Sequence, residues 1–179
     1  GFDPLTDPKG VVDWHELLFT PENRQVERAQ KLDTKLAGDL LALPFIAPPD
    51  ENSLATRNLL RGNTFLLPGG EKVAEAIGCE QKTIDKVLKK VAKLSKTLPA
   101  DGVPLWLYIL AEAEVIGRAE DDGSTKEGEA LGPVGATIVA ETIIGLLELD
   151  DHSYLGANRN WTPRAEWDTL GKLATVAQP

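Results

Sequence analysis

The chain contains no methionine, one cysteine, two histidines and two tyrosines in 179 residues. Each scarcity narrows what the protein can do. With Cys79 alone, no intrachain disulfide can form, which fits a reducing setting without proving one. His15 and His152 lie far apart, and neither has a second His, Cys or carboxylate at metal-ligand spacing. His152, in "LDDHSYLG", reads as exposed or capping, and His15, beside Trp14, as part of a short amphipathic helix. There is no Ser/His/Asp grouping, nucleophile elbow, P-loop or Gly-x-Gly-x-x-Gly. Cys79 has no basic partner nearby in sequence, so a reactive thiol is disfavoured. A directly translated product opens on Met. The chain, which opens on Gly1, is therefore expected to be a processed or cleaved part of a longer product whose remainder holds the chemistry.

Basic charge is also in short supply. The formal net charge is -9, which argues against nucleic acid and against an anionic membrane surface as partners. No signal peptide is visible. The longest apolar stretch, "LGPVGATIVAETIIGLLEL", carries Glu141 and three glycines and contains Pro133, so it reads as a buried helix rather than a membrane span.

What is present is helical signal. A chain of 179 residues suits one domain, or a domain and a half, and can bury roughly 70% of its unfolded surface. Residues 1–10 read as a turn-rich lead-in, and "VVDWHELLF" as a short helix stopped before Pro21. "NRQVERAQKLDTKLAGDLLAL" reads as helix or irregular helical turns, and "PFIAPPDEN" as a Pro-rich connector. "GGEKVAEAIG" predicts a helix closed by Gly78 at a C-cap. In "TIDKVLKKVAKL", Ile84, Val87, Leu88, Val91 and Leu94 keep helical spacing with lysines between them. "VPLWLYILAEAEVIGR" predicts a helix with Pro104 in its first turn. Leu105, Trp106, Ile109, Leu110, Ala113 and Ile116 form its apolar stripe. The acidic stretch 119–130 lacks calcium-loop spacing and reads as a solvated loop. A most apolar helix follows over 133–149, then short helical pieces with Trp161 and Trp167 available for packing. The expected class is all-α, with many short and medium helices and substantial loop, in a single helical unit over 1–179.

One segment raises a chemical question. In "SLATRNLLRGNTFLLPGG", Ser53 can cap a helix ending near Gly62. Arg57, Asn58 and Arg61 fall on one face; Ala55, Leu59 and Leu60 fall on the opposite, expectedly buried, one. The plain reading is a solvated polar face. The alternative is a ligand face: an Asn one turn from an Arg presents a carbonyl acceptor and a cation together. Such an acceptor can orient an imidazole by taking its N–H, and the cation can pair with a carboxylate such as a haem propionate.

"RNLLRGNTFLLPGG" resembles the segment that follows the proximal histidine in the animal-type haem peroxidase family. Its flanks resemble that family in the same order: "RAQKLDTKLAGDLLALP", "PLWLYILAEAEVIG", "LGPVGATIVAETIIGLLELD" and "SYLGANRNWTP". Together they look like the C-terminal half of bacterial and fungal-like members, over roughly residues 12–163. The resemblance implies a scaffold around haem b. It gives Asn58 the role of accepting the proximal histidine's N–H, and Arg61 that of contacting a haem propionate. Asn63 stands where the family often has a second basic residue, and Arg57 matches no family role. The family's proximal histidine, distal histidine and distal arginine all lie upstream. The proximal one precedes the Asn by more than the 57 residues available here, and His15 does not match its context. No carboxylates matching the family's covalent haem links are present. The implied protein is thus the C-terminal part of a haem peroxidase, inactive alone, with an N-terminal peroxidase chain or segment as partner. Two readings compete. One is a non-catalytic helical module that keeps a peroxidase-like scaffold, whose lysine-faced helix around 84–94 docks a partner or covers the core. The other is a related dioxygenase, which needs a radical-forming tyrosine, and only Tyr108 and Tyr154 are available.

Overall fold

A computed structural model of the chain describes residues 29–95, 97 and 102–176. The expected lead-in, the expected helix over 11–19 and His15 lie outside the described residues. The described part is mostly helical. Its elements run α1 (Gly38–Leu41), α2 (Leu54–Thr64), α3 (Gly70–Ala76), α4 (Gln81–Leu94), α5 (Leu105–Val115), β1 (Arg118–Ala119), β2 (Thr125–Lys126), α6 (Pro133–Leu149), α7 (Tyr154–Ala157), a 3-10 turn (Ala165–Trp167) and α8 (Leu170–Val176). Residues 30–146 form one compact unit, and 147–176 belong to a second.

The core of the larger unit lies where α3, α4 and α5 meet the start of α6. Ala74, Ile84, Val87, Val91, Val103, Tyr108, Ala111, Ile116 and Val134 close it from water. α4 behaves as its spacing predicts: Ile84, Val87 and Val91 are buried and Lys82, Lys86, Lys89 and Lys93 face out, while Lys90 is largely covered and Leu94 at the end is half exposed. α3 ends in a Schellman arrangement. The Cys79 N–H donates to Ala74 O at 2.9 Å, and the Gly78 N–H to Glu75 O at 3.0 Å. Gly78 sits at φ +80°, where a side chain is disfavoured and glycine is not. α3 also approaches α5 closely, since a Cβ on Gly70 would stand 2.1 Å from the Tyr108 Cβ.

Several expectations fail here for physical reasons. The α5 stripe holds in part: Ala113 and Ile116 are buried as expected and Leu105 and Ile109 pack against the core, but Tyr108, Ala111 and Glu112 are buried too, and Trp106 and Leu110 are only partly covered. Glu112 looks polar in sequence, yet it is fully buried because its carboxylate caps α6 from inside. Its Oε2 accepts the N–H groups of Val134 at 2.9 Å and Gly135 at 3.3 Å, two donors that a helix start leaves unpaired. Pro104 precedes α5 as its N-cap rather than lying in the first turn. The stretch 119–130 is not a plain loop. It turns at Gly123 so that β1 and β2 pair antiparallel, Arg118 against Lys126 and Ala119 against Thr125. Over 29–43 only α1 is helical. α6 matches its expected bounds but is not a buried helix. Only Val134 and Gly135 are buried, while Val139, Ile143, Ile144 and Leu146 are exposed. Among the described residues no helix is long and apolar enough to cross a membrane.

A second polar tie fastens the extended segment before α1. The Glu114 carboxylate takes Lys90 and the Thr34 backbone and hydroxyl. Partial burial would raise this carboxyl, but those donors outweigh burial and hold it below its ordinary value. In the second unit, Ser153 caps α7 through the Gly156 N–H, and Tyr154 packs on Trp161 with ring centroids 4.8 Å apart. Arg164 lies over the Trp167 ring.

Candidate functional site

Ser53 caps α2 as its residue type predicts, its Oγ accepting the Thr56 N–H at 3.3 Å. The helix outruns Gly62 and ends at Thr64. Its end is again a Schellman arrangement: the Leu67 N–H donates to Gly62 O and the Leu66 N–H to Asn63 O, both at 3.0 Å. Here the left-handed position holds Leu66, at φ +53°. A leucine in that region clashes between its Cβ and its own backbone, a cost of roughly 1–2 kcal/mol that glycine would not incur.

No residue of α2 is buried, so the expected burial of the face opposite Asn58 does not hold. Leu59 is 36% exposed and Leu60 53%. Leu59 and Leu60 instead line a cavity of about 580 Å³ between α2, the 66–69 turn and the segment leading into α5. This lies within the range of roughly 300–1,000 Å³ that small-molecule sites occupy. One side of it is held by backbone pairing: the Gly70 N–H donates to Val103 O at 2.8 Å, and Gly69 bridges Pro104. The Glu71 carboxylate takes the Val103 N–H at 3.0 and 3.2 Å, completing the junction.

Asn58 lines this cavity; Arg61 does not. Arg61 is exposed, and its Nη1 lies 3.4 Å from Asn58 Oδ1, a long hydrogen bond that leaves the amide oxygen's second lone pair free. Arg57 turns away to the Glu51 carbonyl at 3.1 Å. The other walls come from residues the sequence did not single out for a site, including Leu66, Leu67, Trp106, Asn63 and Lys72. The apolar run "FLL" just past the α2 end, before Pro68, was the available signal, since such a run at a helix stop needs something to cover it.

As a haem site, the cavity meets one half of the chemistry. Apolar walls, an indole and a neutral amide acceptor suit a porphyrin edge and the rear of an axial imidazole. No lining side chain is a His, Cys, Met or Tyr, so an axial ligand has to come from residues outside the lining. Among the described residues no cluster of three potential metal ligands occurs.

The remaining candidates lie elsewhere. Tyr108 is fully buried in the core, its hydroxyl is unpartnered, and burial followed by the Glu112 charge pushes its pKa strongly up. Tyr154 belongs to the second unit. Neither lines the cavity. Burial, then the Glu112 charge, also pushes the Cys79 thiol up, which disfavours the nucleophilic thiolate. His152 is exposed, and its backbone N–H meets Asp150. Compared with protein-family models, with curated proteins and with solved structures, the chain matches none.

Proposed function

We propose that this chain is the C-terminal portion of a haem-dependent peroxidase, with its axial histidine and its distal histidine and arginine on an upstream segment or a partner chain. The observation that supports the reading is Asn58, a residue lining an apolar-walled cavity one helical turn from Arg61. Asn58 accepts the N–H of the incoming proximal imidazole and fixes its orientation. Being neutral, it leaves that imidazole a weaker donor than a carboxylate partner would. Arg61, held beside Asn58, supplies the cation for a propionate. Trp106 and the cavity leucines exclude water from the porphyrin edge. Haem, when bound, supplies peroxide reduction and oxidation of a donor.

A helical module without catalysis is the second reading, favoured by the lack of any iron-ligating side chain in the cavity lining. A visible spectrum separates the two. The chain is mixed with hemin alone, then with hemin and an upstream peroxidase polypeptide. A Soret band that needs the second polypeptide is the expected result. No haem uptake under any pairing overturns the peroxidase reading and leaves the module. The mass of the native material, set against 19.3 kDa, shows directly whether a longer product is its source.

A further inference from the structure

Two features of the cavity are not used by the haem reading. The first is Lys72, the only charged residue among the described residues that line it. Lys72 lies in the first turn of α3, and no described side chain pairs with its ammonium. Its neighbour Glu71 is committed to the Val103 N–H, and no carboxylate is among the described residues that line the cavity. In a chain of net charge -9, a concave apolar site whose described lining holds one cation and no anion is complementary to an anionic group. The second feature is Leu66, 86% exposed and held at φ +53° where glycine would be unstrained. Leu66 is among the residues that line the cavity, and a glycine there would remove its apolar side chain from that rim. A strained backbone that carries an exposed apolar side chain onto a concave site sacrifices stability for contact.

We propose that the cavity binds an amphipathic carboxylate, with Lys72 pairing the carboxylate and Leu66 covering the apolar body. The inference shares its cavity with the haem reading and rests on that reading for nothing else. A porphyrin bearing propionates is one source of this chemistry, and a long-chain fatty acid is the other.

Calorimetric titration of the full chain with dodecanoate, dodecanol, protoporphyrin IX and its dimethyl ester tests it. Each bound carboxylate is expected to bind more tightly than its neutral counterpart. Lys72→Gln is expected to weaken carboxylates about two- to five-fold, as for a partly solvated ion pair, and to leave neutral ligands unchanged, while Lys72→Arg retains binding. Leu66→Gly is expected to weaken every ligand about five-fold while raising the urea midpoint. Dodecanoate binding without porphyrin binding keeps the inference and leaves the haem reading to the two-polypeptide spectrum. Porphyrin binding that Lys72→Gln leaves unchanged, or weakens equally for acid and ester, overturns the inference and leaves the haem reading standing. Binding of neither carboxylate also overturns it, as does Leu66→Gly that leaves affinity intact.

Discussion

At the scale of single residues, Asn58 and Glu112 show how environment assigns a role. Asn58, a candidate in the sequence for its place one turn from Arg61, is set by the structure at a cavity with one oxygen lone pair free. On the proposed peroxidase reading, Asn58→Asp in the assembled enzyme should lower the haem reduction potential, since a charged acceptor strengthens the imidazole as a donor. Spectroelectrochemistry reads the shift, and an unchanged potential removes Asn58 from the proximal side. Arg61→Ala should loosen haem retention by about 1–3 kcal/mol, read as faster haem transfer to an acceptor globin. Glu112 carries a different consequence. Burial pushes its carboxyl up, against the pull of the Val134 and Gly135 N–H groups. A folded-state pKa above the unfolded one means the folded protein binds more protons, so stability falls as pH climbs past the ordinary glutamate value. Glu112→Gln keeps an acceptor for those N–H groups and cannot ionise. Its melting temperature should lose that downward slope, whereas Glu112→Ala should cost about 2–4 kcal/mol below the ordinary glutamate range, and less above it, by stranding two buried donors and leaving a void.

At the scale of elements, close approach decides more than propensity does. α3 reaches α5 only because position 70 has no Cβ. Gly70→Ala should cost about 1–3 kcal/mol, seen as a lower urea midpoint, because Tyr108 is locked in the core and cannot yield. Gly78→Ala is the informative contrast. Nothing stands within 4 Å of its would-be Cβ, so the left-handed backbone alone should set a cost of about 1 kcal/mol. Legibility followed contrast between polar and apolar positions. α4 alternates lysines with branched apolar residues, so its buried face could be read directly. α5 is apolar nearly all round, so periodicity marks Ala113 and Ile116 as buried but misses Tyr108 and the inward Glu112. The two-residue strands were too short to show alternation.

At the scale of the whole molecule, the surface carries more apolar side chain than its acidic composition suggests. On α6, Val139, Ile143 and Leu146 are 45%, 54% and 66% exposed and recur at helical spacing. Apolar composition tells a reader that a helix seeks cover; it does not say that cover is found within the chain. The isolated chain should therefore enhance the fluorescence of an apolar-surface dye such as ANS. Ile143→Glu with Leu146→Glu should remove much of that signal while moving stability by no more than about 1 kcal/mol, since neither side chain is buried. Unchanged dye binding would place the apolar surface elsewhere.

The sequence by itself determined what is local: the Ser53 cap, the glycine end of α3, the buried face of α4 and the span of α6. These depend on neighbours within a few residues, and residue type decides them. Only the tertiary structure decided that a glutamate on α5 would cap a helix more than twenty residues away, that Leu59 and Leu60 would border a cavity instead of a core, and that Asn58 would share that cavity with Lys72 and Trp106. Those are meetings between distant stretches of chain, set by how whole faces pack, and no single stretch contains them.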